Sequence, residues 1–122
     1  MINYKFRGKS KRFKKWVYGN HIYFESINVH YILPFDKDDL GSAHEIDPTT
    51  LGQSTTEVDK KGKEIYQGDR LDIGKSFSVY VVWAFASFMV ADGTGSGYES
   101  LYKFLGDCEV IGNRHDEPQT RK

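Results

Sequence analysis

The sequence predicts a mainly β protein, and three observations carry that expectation. Aromatic residues make up 15% of the chain and β-branched residues are frequent, the side chains that fit a pleated, half-buried surface. Ile2, Tyr4 and Phe6 alternate with Asn3, Lys5 and Arg7, while Ile27, Val29, Tyr31 and Leu33 alternate with Asn28, His30 and Ile32. That period of two is the mark of a strand with one buried face. From Glu45 to Leu71 the chain is a string of turn residues framing short apolar pairs, as short strands joined by tight turns require.

Taken in order, the first strand enters a basic run, Gly8-Lys-Ser-Lys-Arg-Phe13-Lys-Lys15, that reads as a turn or exposed loop. Trp16-Val-Tyr18 and His21-Ile-Tyr-Phe24 flank Gly19-Asn20, a pair suited to a two-residue hairpin turn. The next strand ends at Pro34, and the polar, acidic stretch from Asp36 to Ser42 is a plausible hinge. Asp59-Lys-Lys-Gly62 is expected to turn, Glu64-Ile-Tyr66 to form a strand, Gln67-Gly68-Asp69 to turn again, and Arg70–Ile73 to leave as the next strand. Phe77 to Trp83 and Phe88 to Val90 are apolar enough for central strands. One short helix is expected, opened by a capping box of Ser96 and Glu99, with Leu101, Tyr102 and Leu105 on one face and Gly106 as the stop. Glu109-Val-Ile-Gly112 would close the fold.

A chain of 122 residues makes one domain, or one small domain with a subdomain against it. Its formal charge of zero hides a division. Residues 1–35 hold seven Lys/Arg and one acid, and residues 36–122 hold ten Lys/Arg and sixteen acids. Such asymmetry suits a polyanion partner, or attraction between the two halves of neighbouring molecules. The single Cys108 excludes an intrachain disulfide and suits a reducing cytosol; flanked by Asp107 and Glu109, it is expected to have a raised pKa and to serve packing. A hydrophilic start is unlike a signal peptide, and the longest apolar stretch, Val79 to Ala91, falls short of the roughly 20 residues of a spanning helix. No membrane partner is expected.

The dense run Asp59-Lys-Lys-Gly62-Lys-Glu-Ile65-Tyr66-Gln-Gly68-Asp69 resembles the YopX family of phage and prophage proteins. The signature of that family reads roughly Pro-x-Thr-hydrophobic-Gly-Gln-Tyr-Thr-Gly, then Asp-x-x-Gly-Lys-x-Ile-Tyr-x-Gly-Asp. The resemblance begins at Lys5-Phe6-Arg7-Gly8-Lys9-Ser10, resumes at Trp16-Val17-Tyr18-Gly19, and closes with Leu101–Gly106 and the Glu109–Asn113 tail. It implies a β-rich fold with a small SH3-like barrel and brings no established activity. The chain departs from the pattern at Gln53-Ser54-Thr55-Thr56, which lacks the aromatic and the glycine, and at Glu117-Pro118-Gln119, where the family has Asn-Pro-Glu. On this reading residues 1–44 form an N-terminal β-hairpin subdomain with a basic loop, and residues 45–122 an SH3-like barrel domain.

No constellation of residues supports catalysis. Asp59, Glu64, Asp69 and Asp72 could be cast as an acid/base pair or a divalent-metal site, but Asp59, Gly62, Gly68 and Asp69 read better as structural turn residues. His21, His30, His44 and His115 lack zinc-binding spacings, Thr49, Thr50, Thr55 and Thr56 have no adjacent base, and Gly93, Gly95 and Gly97 lack the Gly-Lys-Ser/Thr of a phosphate loop. No cofactor or metal is expected. The candidate contact residues are Lys9, Lys11, Arg12, Lys14, Lys15 and Trp16, where cations interleave with aromatics as single-stranded nucleic acid would require. The function expected first is a non-enzymatic protein-interaction module, self-association included. Single-stranded nucleic-acid binding through the basic loop is the alternative.

Overall fold

A computed structural model describes residues 5–35, 40–74, 78–92 and 97–116. Ten strands run through it: β1 (Phe6–Ser10), β2 (Trp16–Phe24), β3 (Val29–Pro34), β4 (His44–Val58), β5 (Glu64–Tyr66), β6 (Asp69–Asp72), β7 (Ser78–Ala84), β8 (Ser87–Ala91), β9 (Glu99–Ser100) and β10 (Glu109–Asn113). They form two antiparallel five-stranded sheets, ordered β1-β2-β3-β4-β5 and β10-β6-β7-β8-β9. The mainly β expectation is met. Ile2, Tyr4, Asp36 to Asp39, Phe77, Gly93, Gly95, Ser96 and the Glu117–Gln119 stretch lie outside the described residues.

The chain divides into two compact units, residues 1–54 and 55–122. Residues 45–54, expected with the second unit, belong with the first because β4 pairs there with both β1 and β3. In that first unit β1 also pairs with β2, and β2 with β3, so the pairings run in a closed cycle. Ile32 and Ile46 are fully buried within it. The face of β3 that the alternation put inward is therefore the wrong one: Ile32 is buried, while Val29, Tyr31 and Leu33 are only half-covered.

One expected turn turns out to be strand. Gly19 and Asn20 lie in the middle of β2, opposite Pro34 and Leu33, and the chain reverses instead over residues 25–28. Glycine is required at 19 for a close approach: a Cβ there would sit 2.0 Å from the Leu33 carbonyl oxygen. The Pro-Thr-Thr segment likewise lies inside the 15-residue β4. It fits at an irregularity where β4 advances from Asp47 to Gly52 while β1 moves only from Lys9 to Arg7. Asp47 holds the extra length, its Oδ1 accepting from the Thr49 N–H (3.0 Å) and hydroxyl (2.8 Å), and the Thr50 hydroxyl accepts from the Lys9 N–H at 2.8 Å. Gly8, Lys9 and Ser10 are strand as well, so the basic loop proper spans 11–15.

In the second unit the core gathers Ile65, Leu71, Ile73, Val79, Val81, Phe88, Val90, Leu101, Phe104 and Cys108. β5, β6, β7, β8 and β10 fall where the sequence places strands. The expected helix is a single 3-10 turn over Leu101–Lys103, capped by Ser100, whose Oγ accepts from the Tyr102 N–H at 3.3 Å. Because Glu99 and Ser100 are held extended by pairing with β8, too few residues remain before Gly106 for a stable α-helix. A second 3-10 turn spans Leu40–Ser42.

Candidate functional site

The Asp59–Asp69 run builds a clasp inside the second unit. Asp59 is 4% exposed, and its Oδ1 accepts from the N–H groups of Lys61 (2.9 Å) and Lys63 (2.8 Å). Its Oδ2 accepts from the N–H of Val110 at 2.9 Å, on β10 at the edge of the sheet. The Lys60 N–H donates to the Cys108 carbonyl at 2.9 Å, and Lys61 Nζ meets Glu109 Oε2 at 3.0 Å. One turn thus covers a sheet edge that would otherwise present unpaired backbone groups. Burial pushes the Asp59 carboxyl up, but the three backbone donors and nearby Lys63 outweigh it and hold the carboxyl below its ordinary value.

The remaining turn residues are structural too. Asp69, also buried, accepts from the Tyr66 N–H at 2.7 Å. Gly62 and Gly68 have φ of 85° and 94°, the left-handed region that glycine enters without a steric cost. Asp72 is exposed and closes its own turn by accepting from the Gly74 N–H at 2.8 Å. Among the described residues no three His, Cys, Asp or Glu side chains come together as a metal site. Cys108 is fully buried; burial first, then the charges of Asp59 and Asp107, push its thiol up. Asp59, distant in sequence, takes the place of the expected Glu109.

The basic loop sits at the end of the β1–β2 hairpin, with Lys11 to Lys15 exposed and Lys14 at φ 58°. Ser10, Lys11, Arg12 and Phe13 line a groove of about 510 Å³ together with Tyr31 and His44. Trp16 is half-buried rather than presented outward. The guanidinium of buried Arg7 lies 4.6 Å from its ring centre and Lys9 Nζ lies at 5.7 Å. Lys11 meets Glu45 Oε2 at 3.0 Å. Arg12 lies 5.1 Å from the ring of Phe13, whose edge faces His44. The six candidate contacts are thus split between a strand face (Lys9, Trp16) and a loop (Lys11, Arg12, Lys14, Lys15).

A third feature went unread in the sequence. Among the described residues, β6 pairs with β7 over Ser78–Tyr80, with the Gly68 N–H donating to the Val81 carbonyl, and β9 pairs with β8 over Met89 and Val90. Residues 82–88 therefore continue as a two-stranded ribbon past both neighbours. Its turn is Phe85-Ala86, closed by the Ala84–Ser87 pair, with φ of 55° and 59°. Both angles are those of a type I′ turn, which ordinarily takes Asn-Gly. Phe85 is 79% exposed, Trp83 55% and Tyr98 50%. The Phe85 ring meets Tyr98 edge-on at 5.5 Å, and Trp83 meets buried Phe88 at 4.9 Å. Phe85 thus packs only in part, against Tyr98, and stays mostly in water on a turn of positive φ. The signal in the sequence was Ala-Phe-Ala-Ser between two apolar runs, with none of the residues that usually mark a hairpin.

The order and spacing of the motifs carried by these elements decide the family: the model described as YopX protein matches residues 5–120. The chain belongs to the YopX protein family. Individual curated proteins give no match. Within the YopX pattern the clasp residues Asp59, Gly62, Gly68 and Asp69 are matched and structural, whereas Thr56 stands where the signature has glycine. Thr56 has φ 64°, a conformation costing an L-residue about 1–2 kcal/mol. Thr56→Gly should relieve that strain, offset in part by about 0.5–1 kcal/mol of added chain entropy in the unfolded state. The net expectation is a gain of about 0.5–1 kcal/mol in a urea melt; a loss would show that the Thr56 hydroxyl, which donates to the Thr55 carbonyl, matters more than the backbone.

Proposed function

We propose that this YopX protein is a non-enzymatic phage or prophage accessory protein of the host cytoplasm that works by gripping another protein. The observation that carries the reading is the β7–β8 ribbon, which holds Trp83 and Phe85 out to solvent beside exposed Tyr98 and turns on Phe85 and Ala86, two non-glycine residues at positive φ. Exposed aromatics on a rigid support are the usual anchors of protein contacts, and strain retained at a turn points toward use of that turn. Self-association belongs to the same reading, since a ribbon tip can seat in a second copy as well as in a foreign partner. The nucleic-acid alternative is less well supported, because Arg7 and Lys9 lie over Trp16 and leave less of its face for stacking. For the finer fold, an SH3-like barrel, expected over residues 45–122 and here placed in the second unit from residue 55 onward, is our reading, supported by the short strands and Gly/Asp turns of that unit.

The test replaces the turn with the residues its geometry prefers. Phe85→Asn combined with Ala86→Gly should raise stability by about 1–2 kcal/mol by relieving two left-handed residues. The same change should cut capture of protein from nuclease-treated host lysate by at least about tenfold, the scale of a lost aromatic anchor. Sedimentation of the same pair of proteins reads self-association. A stabilised variant that still captured partners and assembled as before would remove the ribbon from the contact.

A further inference from the structure

We propose that His21 and His30 form an acid-labile clasp across β2 and β3, holding the distal half of that hairpin closed when the pair is neutral and releasing it when both rings are protonated. His21 pairs in register with Ile32, and Tyr23 with His30, so the two histidines are diagonal neighbours on one face. His21 Nε2 and His30 Nδ1 are 2.8 Å apart, with ring planes 6° from parallel. The contact extends both ways: Phe6 of β1 lies 5.4 Å from His21, and Tyr23 stacks on His30 at 4.4 Å. The Tyr23 hydroxyl then donates to Asn28 Oδ1 at 3.0 Å, and Asn28 is a turn residue at φ 53°. One column of rings therefore ties β1 to the hairpin turn.

A hydrogen bond between two imidazoles needs one N–H and one lone pair. The neutral pair supplies both, and a first added proton leaves an imidazolium N–H donating to a neutral ring. A second proton removes the last acceptor and places two cationic rings in contact, so the bond cannot survive it. Titration of such a pair belongs to the pair, in two steps. Burial first, and then the neighbouring His30, already hold the His21 imidazole below its ordinary value. Among the described residues, the titratable groups facing the pair are Tyr23 from β2 and, across Ile32, His44 from β4, which is opposite Ile32 in register; from β1 the ring of Phe6 meets His21. Among the described residues no carboxylate acts on His21.

A histidine whose folded pKa is depressed contributes stability that is complete above its unfolded value of 6.5 and is lost as pH falls through the folded pKa. Imidazole proton NMR of the full chain from pH 8 to 4.5 should show two separated steps, with His21 below the ordinary value of 6.5. Amide exchange over residues 22–29, corrected for intrinsic rates, should accelerate by about tenfold across the same interval, while the β7 amides should not. In His30→Gln the His21 step should move back toward 6.5, and the exchange response should shrink to less than about twofold because the glutamine does not titrate. His21→Gln is the reciprocal measurement. The proposal fails if both rings of the wild type titrate together at the ordinary value, or if His30→Gln keeps the full acid response.

Discussion

Asp59→Ala will cost this protein about 3–5 kcal/mol, the largest effect expected of any single side chain in the second unit. Hydrogen bonds to a charged acceptor contribute about 1.5–3 kcal/mol each, and a buried donor left without its acceptor costs about 1–3 kcal/mol. Asp59 serves three such donors at once, the N–H groups of Lys61, Lys63 and Val110. The losses will not add in full, because the turn relaxes once its hub is gone. Asp59→Asn should fall between alanine and wild type, since one amide oxygen can keep accepting while the NH₂ opposes a remaining donor. The pH dependence separates this from a simple cavity. With its folded pKa held below 3.8, Asp59 contributes stability that is complete above the unfolded value and lost as pH falls through the folded one. Wild type should therefore lose stability as acid is added below about pH 4, and Asp59→Asn should show a shallower loss. Denaturant melts at pH 7 and pH 3 measure both, and equal slopes for the two proteins would assign the clasp to shape alone.

Gly19→Ala should be nearly as damaging, at about 3 kcal/mol or more, the upper end of what overpacking costs. The added Cβ would meet the Leu33 carbonyl oxygen at 2.0 Å, its carbon at 2.7 Å and Pro34 Cα at 2.9 Å. All three are backbone atoms, so no rotamer change relieves the contact and β2 must move away from β3. Gly8→Ala is the matched comparison. There the nearest atom is Ile46 Cδ1 at 2.5 Å, the end of a side chain that can shift within its own rotamers, and about 1–2 kcal/mol is expected. Thermal or urea melts of the two variants should rank Gly19→Ala clearly below Gly8→Ala. The reverse order would mean that the β2–β3 pairing adjusts more easily than the buried Ile46.

The family motif shows how far local reading reaches. Gly62, Gly68 and Asp69 were legible as turn residues because each acts within a few positions: a positive φ, or a carboxylate taking an N–H three residues back. For Asp59, half of the role was legible. Its bonds to Lys61 and Lys63 are local, but the bond to Val110 spans 51 positions, and no spacing rule connects those residues. The basic loop was legible as exposed, while the cover over Trp16 depends on β1 lying beside β2. The ribbon was hidden because its signal is a short neighbour rather than a residue type: β6 and β9 stop pairing before β7 and β8 do.

Taken alone, the amino-acid sequence determined the fold class, the family, the strands from β5 to β8 and β10, and the turn residues between them. Side-chain alternation and backbone preferences act over two to four residues, and those are written in the order of the chain. Tertiary structure alone decided that Gly19 is a point of close approach rather than a turn, and that the Pro48 segment runs on inside β4. It also decided that Ile32 faces inward, that His21 meets His30, and that Phe85 stands in water. Each of these depends on which strand lies beside which, and in what register. A register shift of one residue exchanges the two faces of a strand, so faces and distant partners stay open until the sheets are assembled.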